Sequence, residues 1–399
     1  MFSTRFKWDA GIHPLSAAMQ AKVAGNHDVI DLTDANPTRT GLVFADTTIL
    51  SFLTRAEAVV YEPAPRGLQA AREAVSRYYR ELGETIDPDD ILLTAGTSEA
   101  YGLLFKLLAD PGDEILIPRP GYPLLSHLAG FEGLTCHSYP LRHQAGRGWQ
   151  VDLNLLEALI TVRTRAVVVV NPNNPTGNYV KAEELAAIDA LCRRHDMALI
   201  VDEVFADFAG SAALQHARTA LNRTTVPTFV LNGLSKSLGL PQMKLGWIVI
   251  GGSREGVICA RSHLETLMDF YLCVATPVQV GLPQMLARRS DIQRRIVARI
   301  DENSRFLAAR VQRAGNMGLL IREGGWYGVL TIDDAIADET RALELLERDN
   351  ILIHPGIFYD FSREGFVVLS LLPECGRFRT GIDRLIRRYG HATSAARQG

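Results

Sequence analysis

Short runs of apolar residues without polar alternation punctuate positions 113–252: "DEILIP" (113–118), "RAVVVV" (165–170), "MALIVDE" (197–203), "TFVLNG" (228–233) and "GWIVIGG" (246–252). Continuous hydrophobicity in a brief β-branched run, bounded by turn residues, predicts a strand covered on both faces, as in a parallel sheet. Helical periodicity fills several of the gaps. "KAEELAAIDALCRRHD" (181–196) spaces its apolar residues for one helix face and gathers basic residues near its C-terminal end, where they complement the dipole. This alternation predicts a doubly wound α/β domain with a mainly parallel sheet.

The texture changes near residue 291. "DIQRRIVARIDENSRFLAARVQRAG" (291–315) has the pattern of one long amphipathic helix, and "GGWYGVLTI" and "GFVVLSLL" then alternate with predicted helices over 339–349 and 377–389. That order suits a smaller α+β domain. The expected division is a large domain over 46–290 and a small domain made from both chain ends, 1–45 and 291–399.

Composition narrows the function classes. The chain has 399 residues, 47 % of them apolar, and 42 basic against 45 acidic residues give a net charge of −3. No basic stripe or block suggests a nucleic-acid partner. No apolar run is long enough to cross a bilayer, and "MFSTRFKWDAGIHPL" lacks the apolar stretch of a secretion signal. The five cysteines are scattered without a CxxC pair, which predicts free, mostly buried thiols in a reducing compartment. The expectation is a cytoplasmic protein with neither membrane nor nucleic-acid partners.

Four segments carry candidate chemistry. "LLTAGTSEAYGLLFKLL" (92–108) reads as strand, glycine turn and apolar helix; Gly96, Thr97 and Ser98 sit where exposed N–H groups and the helix dipole favour a phosphate, or where a hydroxyl caps the helix in the ordinary way. "VVVVNPNNPTGN" (167–178) ends a strand in a proline-rich loop that fixes Asn174 at the carboxyl edge of the sheet, or simply turns the chain. "LIVDEVF" (199–205) places Asp202 and Glu203 at the end of a buried strand, where an acid needs a partner unless it reaches solvent. "GLSKSLGLPQMKLGW" (233–247) holds two lysines, Lys236 and Lys244, in a glycine-rich apolar stretch. A lysine so constrained suits imine formation, because burial depresses its pKa.

A phosphate cup, an amide, a carboxylate and an imine lysine together describe a site for pyridoxal 5'-phosphate. The ordered set "GTSEA … NPNNPTG … DEVF … SKSLGLPQMKLGW" resembles the class I and II aminotransferases, the fold-type I pyridoxal-phosphate enzymes, and the likeness extends from "YEPAPRGLQAAREAVSRYY" (61–79) into the small domain. The resemblance implies that Lys236 forms the imine and shuttles the substrate α-proton. Asp202 would pair with the protonated ring nitrogen, Asn174 would donate to ring oxygen O3′, and Tyr122 would stack on the ring. Thr97, Ser98 and Ser235 would hold the phosphate. Tyr61 would reach the phosphate of a neighbouring subunit, implying a homodimer with shared active sites and a small amino substrate.

Three positions depart from that family's pattern. Lys244 stands where an arginine usually contacts the phosphate, keeping the charge without the planar fork. Phe205 replaces a tyrosine that donates to O3′, which predicts a raised imine pKa. Val368, aligned through Ser370 in "GFVVLSLL", replaces the arginine that clamps the substrate carboxylate, a contact of roughly 1.5–3 kcal/mol. Asn36 and Arg39, in the N-terminal loop "DANPTRTG", are the candidate substrate residues, with Arg66, Arg377 and Arg379 as further cations. Transamination is the leading expectation. Elimination, replacement or carbon–carbon bond formation with the same cofactor is the alternative, since a fold does not fix a reaction.

Overall fold

The computed structural model describes residues 2–5, 11–42, 48–210 and 219–391. Its largest sheet has eight strands. Five adjacent strands, Thr228–Gly233, Ala198–Asp202, Thr164–Val170, Glu114–Arg119 and Thr135–Gln144, run parallel. The four continuous apolar runs between 113 and 233 form four of these. "GWIVIGG" also forms a strand, Gly246–Gly251, but runs antiparallel between Thr228–Gly233 and Ile91–Thr94. Its uniform hydrophobicity reports burial on both faces, and burial alone does not set direction. Thr135–Gln144 is largely polar or half-buried near the far edge, where it turns into a hairpin with Gly148–Val151, so it lacks the apolar run that marks the central strands.

Residues alternate between two cores along each central strand. Val167, Val169, Leu199 and Val201 pack into the larger core; Ala166, Val168, Val170 and Ile200 face a second one beneath the helices Thr97–Leu108 and Arg254–Tyr271. Both layers exclude water from the sheet, so its interior backbone is held by its own ladder.

A second, four-stranded antiparallel sheet contains Tyr327–Ile332 and Phe366–Ser370. The N-terminal strand Ile30–Asp31 pairs with Ile351–Leu352, and the Ser370 amide donates to the Leu32 carbonyl across 2.7 Å. Early and late segments are thus stitched together. The helix Arg289–Val311 runs between the two sheets in sequence. The expected domain boundary at 290/291 coincides with its first turn; the one at 45/46 lies outside the described residues. Of the cysteines, all free, only Cys192 is buried. Cys259 is exposed and the other three are half-buried, so the expectation of mostly buried thiols fails because these residues lie toward solvent on their elements.

Candidate active site

Three glycines set the backbone frame. Gly96 precedes the helix Thr97–Leu108 with φ +120°, a conformation that disfavours any side chain. A Cβ on Gly246 would come within 3.1 Å of the Gly96 Cα, and one on Gly233 within 2.8 Å of the Gly246 Cα. This close stacking brings the phosphate-type turn against the segment that carries both lysines, and it explains the glycine density there.

Lys236 sits on a one-turn helix, Leu234–Ser237, at the end of the strand Thr228–Gly233. Leu234, Ser237 and Leu238 are fully buried and anchor that turn, and Ser237 Oγ donates to the Gly233 carbonyl at 2.7 Å. The lysine Nζ lies 5.2 Å from the Trp326 ring centre and 5.4 Å from that of Phe205. Burial lowers its pKa, partly opposed by the Asp202 carboxylate, so the neutral, nucleophilic amine is reached more easily.

Asp202 closes the strand Ala198–Asp202. Burial pushes its carboxyl up to about 6, against the pull of the Val204 amide, the Tyr101 hydroxyl and Lys236. The amide donates to Oδ1 at 3.1 Å and the hydroxyl to Oδ2 at 3.0 Å. Glu203, next in sequence, is turned away and buried too. It accepts from the Ala220 amide at 2.8 Å, and burial raises its pKa to about 8.

The loop after the strand Thr164–Val170 divides its labour between two asparagines. Asn173 Nδ2 donates to the Pro120 carbonyl at 3.0 Å and to Thr176 Oγ1 at 2.7 Å, bracing the turn. Asn174 is left to face a cavity of about 150 Å³ that also meets Lys236, Asp202, Phe205, Tyr122 and Thr97. Its Oδ1 is buried without a hydrogen-bond partner, and such an atom calls for a ligand.

The phosphate-type turn adjoins this cavity. The helix Thr97–Leu108 has no side-chain cap, so neither Thr97 nor Ser98 serves the ordinary capping role. Glu99 is occupied by the Ala95 amide. Lys244, in a left-handed conformation at φ +49°, brings its Nζ to 3.8 Å from where a Gly96 Cβ would lie, and it has no ion-pair partner among the described residues. A cation beside a helix N-terminus is repelled unless an anion sits between them. Ser98 is exposed and Ser235 half-buried on either side of this region. The donors and the carboxylate fit pyridoxal phosphate: Lys244, Gly96, Thr97 and Ser98 would hold its phosphate, Asp202 its ring nitrogen, and the side-chain N–H of Asn174 would donate to its ring oxygen.

Other expected residues lie elsewhere. Tyr61 is exposed, with Cys273 as its neighbour. Asn36 spends Oδ1 on the amide and hydroxyl of Thr38. Arg39 faces Asp34 at 3.9 Å in a separate cleft with Glu374 and Arg377. Arg66 pairs with Asp89 and Glu265, Arg377 with Asp28, and Arg379 with Glu302. None of these arginines lines the Lys236 cavity. Val368 is buried in mid-strand, directly across from Val329 and His354. Strand alternation puts all three on the sheet face that carries Tyr327. Tyr359 reaches this wall, with its hydroxyl 3.1 Å from His354 Nδ1 and its ring 6.4 Å from that of Tyr327.

Sequence reading missed Tyr101, Trp326 and Tyr327. Tyr101 lies one helical turn beyond Thr97, a spacing that puts it on the same side of the helix. The aromatic pair in "GGWYG" reads only as strand, because nothing in its pattern distinguishes a cavity wall from core.

Comparison with known proteins gives the family. The family described as aminotransferase class I and II matches residues 53–383. An alanine aminotransferase of Mycobacterium tuberculosis is 28 % identical over 384 residues, covering 94 % of this chain and 88 % of that protein. The glutamate-pyruvate aminotransferase AlaA of Haemophilus influenzae is 25 % identical over 379 residues, 93 % and 92 % of the two chains. A solved alanine aminotransferase from Pyrococcus furiosus superposes with a TM-score of 0.88 at 25 % identity, over 98 % of this chain and 99 % of that one. The chain belongs to the class I and II aminotransferases, the fold-type I family whose members depend on pyridoxal phosphate.

Proposed function

We propose that this aminotransferase carries pyridoxal phosphate on Lys236 and moves the amino group of a free amino acid to a 2-oxo acid, alanine and glutamate being the first donors to test. The observation that carries the reading is a buried amine and a buried carboxyl facing one cavity, beside a helix N-terminus and an unpaired lysine. When bound, the cofactor supplies an electron sink that acidifies the substrate's α-C–H bond. With the cofactor bound, Lys236 would take and return the substrate α-proton, Asp202 would hold the ring-nitrogen proton and Tyr122 would pack on the ring. The large lobe, 46–290, supplies this machinery, and a small lobe from both chain ends closes it.

A homodimer is part of the proposal, with Tyr61 serving the partner's site. Val59, Val60 and Tyr61 are exposed, as are Phe270, Tyr271 and Leu272. The Cys273 thiol faces the Glu62 carbonyl at 4.0 Å, so the two strips adjoin and form an apolar surface suited to a second copy. Among the described residues no helix is long and apolar enough to cross a membrane, and the reading places the enzyme in the cytoplasm.

A second reading, loss of a leaving group from the substrate's β- or γ-carbon after the α-proton is removed, draws on Val368 and Phe205. A relative named S-alkyl-thiohydroximate lyase SUR1 of Arabidopsis thaliana is 32 % identical over 250 residues, 61 % of this chain and 53 % of its own. The test is to load the protein with cofactor, add 15N-alanine and 2-oxoglutarate, and follow the label by mass spectrometry. Label in glutamate supports transamination. Failure of a panel of amino acids to pass label to any 2-oxo acid, with ammonium released instead, overturns it in favour of elimination.

A further inference from the structure

Phe205 has no hydroxyl to offer, yet a phenol stands beside it. Tyr327, first residue of the strand Tyr327–Ile332, lines the Lys236 cavity with Phe205, Asp202 and Asn174. Its ring meets that of Phe205 edge-on, with centres 6.2 Å apart. Burial raises the phenol pKa, and the neighbouring Asn174 side chain opposes that rise. Asn174 Oδ1 has no hydrogen-bond partner, so the phenol proton is not spent on that oxygen. The phenol proton is then left for an acceptor in the cavity.

We infer that Tyr327 supplies the hydrogen bond that Phe205 cannot, donating from the opposite lobe to the ring oxygen of the bound cofactor that Asn174 also contacts. This rests on the cofactor reading above and reverses one expectation from the sequence. With a donor present, the ring oxygen attracts the neighbouring imine proton less strongly, so the raised pKa expected from Phe205 alone does not develop. The titratable groups facing Tyr327 are Tyr122 and Tyr359, with Lys236 and Asp202 across the cavity. The arrangement also means that the ring-oxygen contact is completed from the second sheet, tying the cofactor's electronics to how the two lobes meet.

The test is the pH titration of visible absorbance in cofactor-loaded enzyme, a readout independent of turnover. Tyr327→Phe is expected to raise the midpoint by at least about one pH unit, a tenfold gain in proton affinity, and Phe205→Tyr added to it is expected to return the midpoint near wild type. In the wild-type background Phe205→Tyr, which keeps Tyr327, is expected to move the midpoint by less than half as much as it does in the Tyr327→Phe background. Equal shifts in both backgrounds, or a Tyr327→Phe midpoint matching wild type with unchanged circular dichroism, overturn the inference. If Tyr327→Phe does not fold, a Phe205→Tyr shift of a full unit in wild type overturns it and a small one supports it. Should wild type develop no visible band with pyridoxal phosphate, the cofactor reading itself fails, which is a separate result.

Discussion

The Tyr101 hydroxyl donates to Asp202 Oδ2 across 3.0 Å, tying the helix that opens the phosphate-type turn to the end of a central strand. One bond thereby couples the two ends of the cofactor site. Hydrogen bonds to ionised groups contribute about 1.5–3 kcal/mol. Burial has already pushed the Asp202 carboxyl up to about 6, so removing this donor raises it further. Uptake of pyridoxal phosphate by the apo-enzyme is expected to weaken as pH falls through that ionisation. Tyr101→Phe is expected to move this acid limb upward, as measured by equilibrium dialysis between pH 5 and 8. An unmoved limb would show that the hydroxyl leaves Asp202 untouched.

Glu203 offers a stability prediction with a definite sign. Burial raises its folded pKa to about 8 from an ordinary value of 4.5, so the folded state binds more protons across that interval. Its contribution is present below pH 4.5 and is lost as pH rises through 8. Glu203→Gln lacks this penalty. Its melting temperature relative to wild type is therefore expected to climb steadily between pH 5 and 8.5. A constant difference over that range contradicts the assignment.

Lys244 and Lys236 answer differently to substitution. Lys244→Gln removes the unpaired cation beside Gly96 and is expected to weaken cofactor binding about 10- to 100-fold, the equivalent of one charge-assisted contact. Lys244→Arg is expected to bind at least as tightly as wild type, because a guanidinium forks onto a phosphate. Both are read from fluorescence titration of the apo-enzyme. A Gln variant with native affinity removes Lys244 from the phosphate site.

The exposed apolar strips predict assembly. Val60→Asp with Phe270→Asp is expected to convert a dimer to monomers in sedimentation velocity runs and to reduce turnover at least tenfold. Wild type sedimenting as a monomer at micromolar concentration would contradict the shared site.

Much of this architecture was legible because the central strands are apolar throughout, and a run such as "RAVVVV" fits little besides a doubly covered strand. The candidate site was legible for a related reason: Asp202 ends such a strand and Asn174 and Lys236 each follow one, so locating the strand locates the residue. What escaped the reading depends on contacts between distant segments. Tyr327 looks like any strand aromatic until folding brings it 6.2 Å from Phe205. Arg377 looks like a free cation until Asp28 meets it at 2.7 Å. The direction of "GWIVIGG" was likewise hidden, because it depends on chain path and not on local pattern.

Borohydride reduction of the pyridoxal-phosphate-loaded enzyme, followed by peptide mapping, bears most directly on the role of Lys236. A single pyridoxyl group on the peptide containing Lys236, with Lys244 unmodified, is the expected result. Labelling at Lys244 instead, or at neither lysine, would contradict the account.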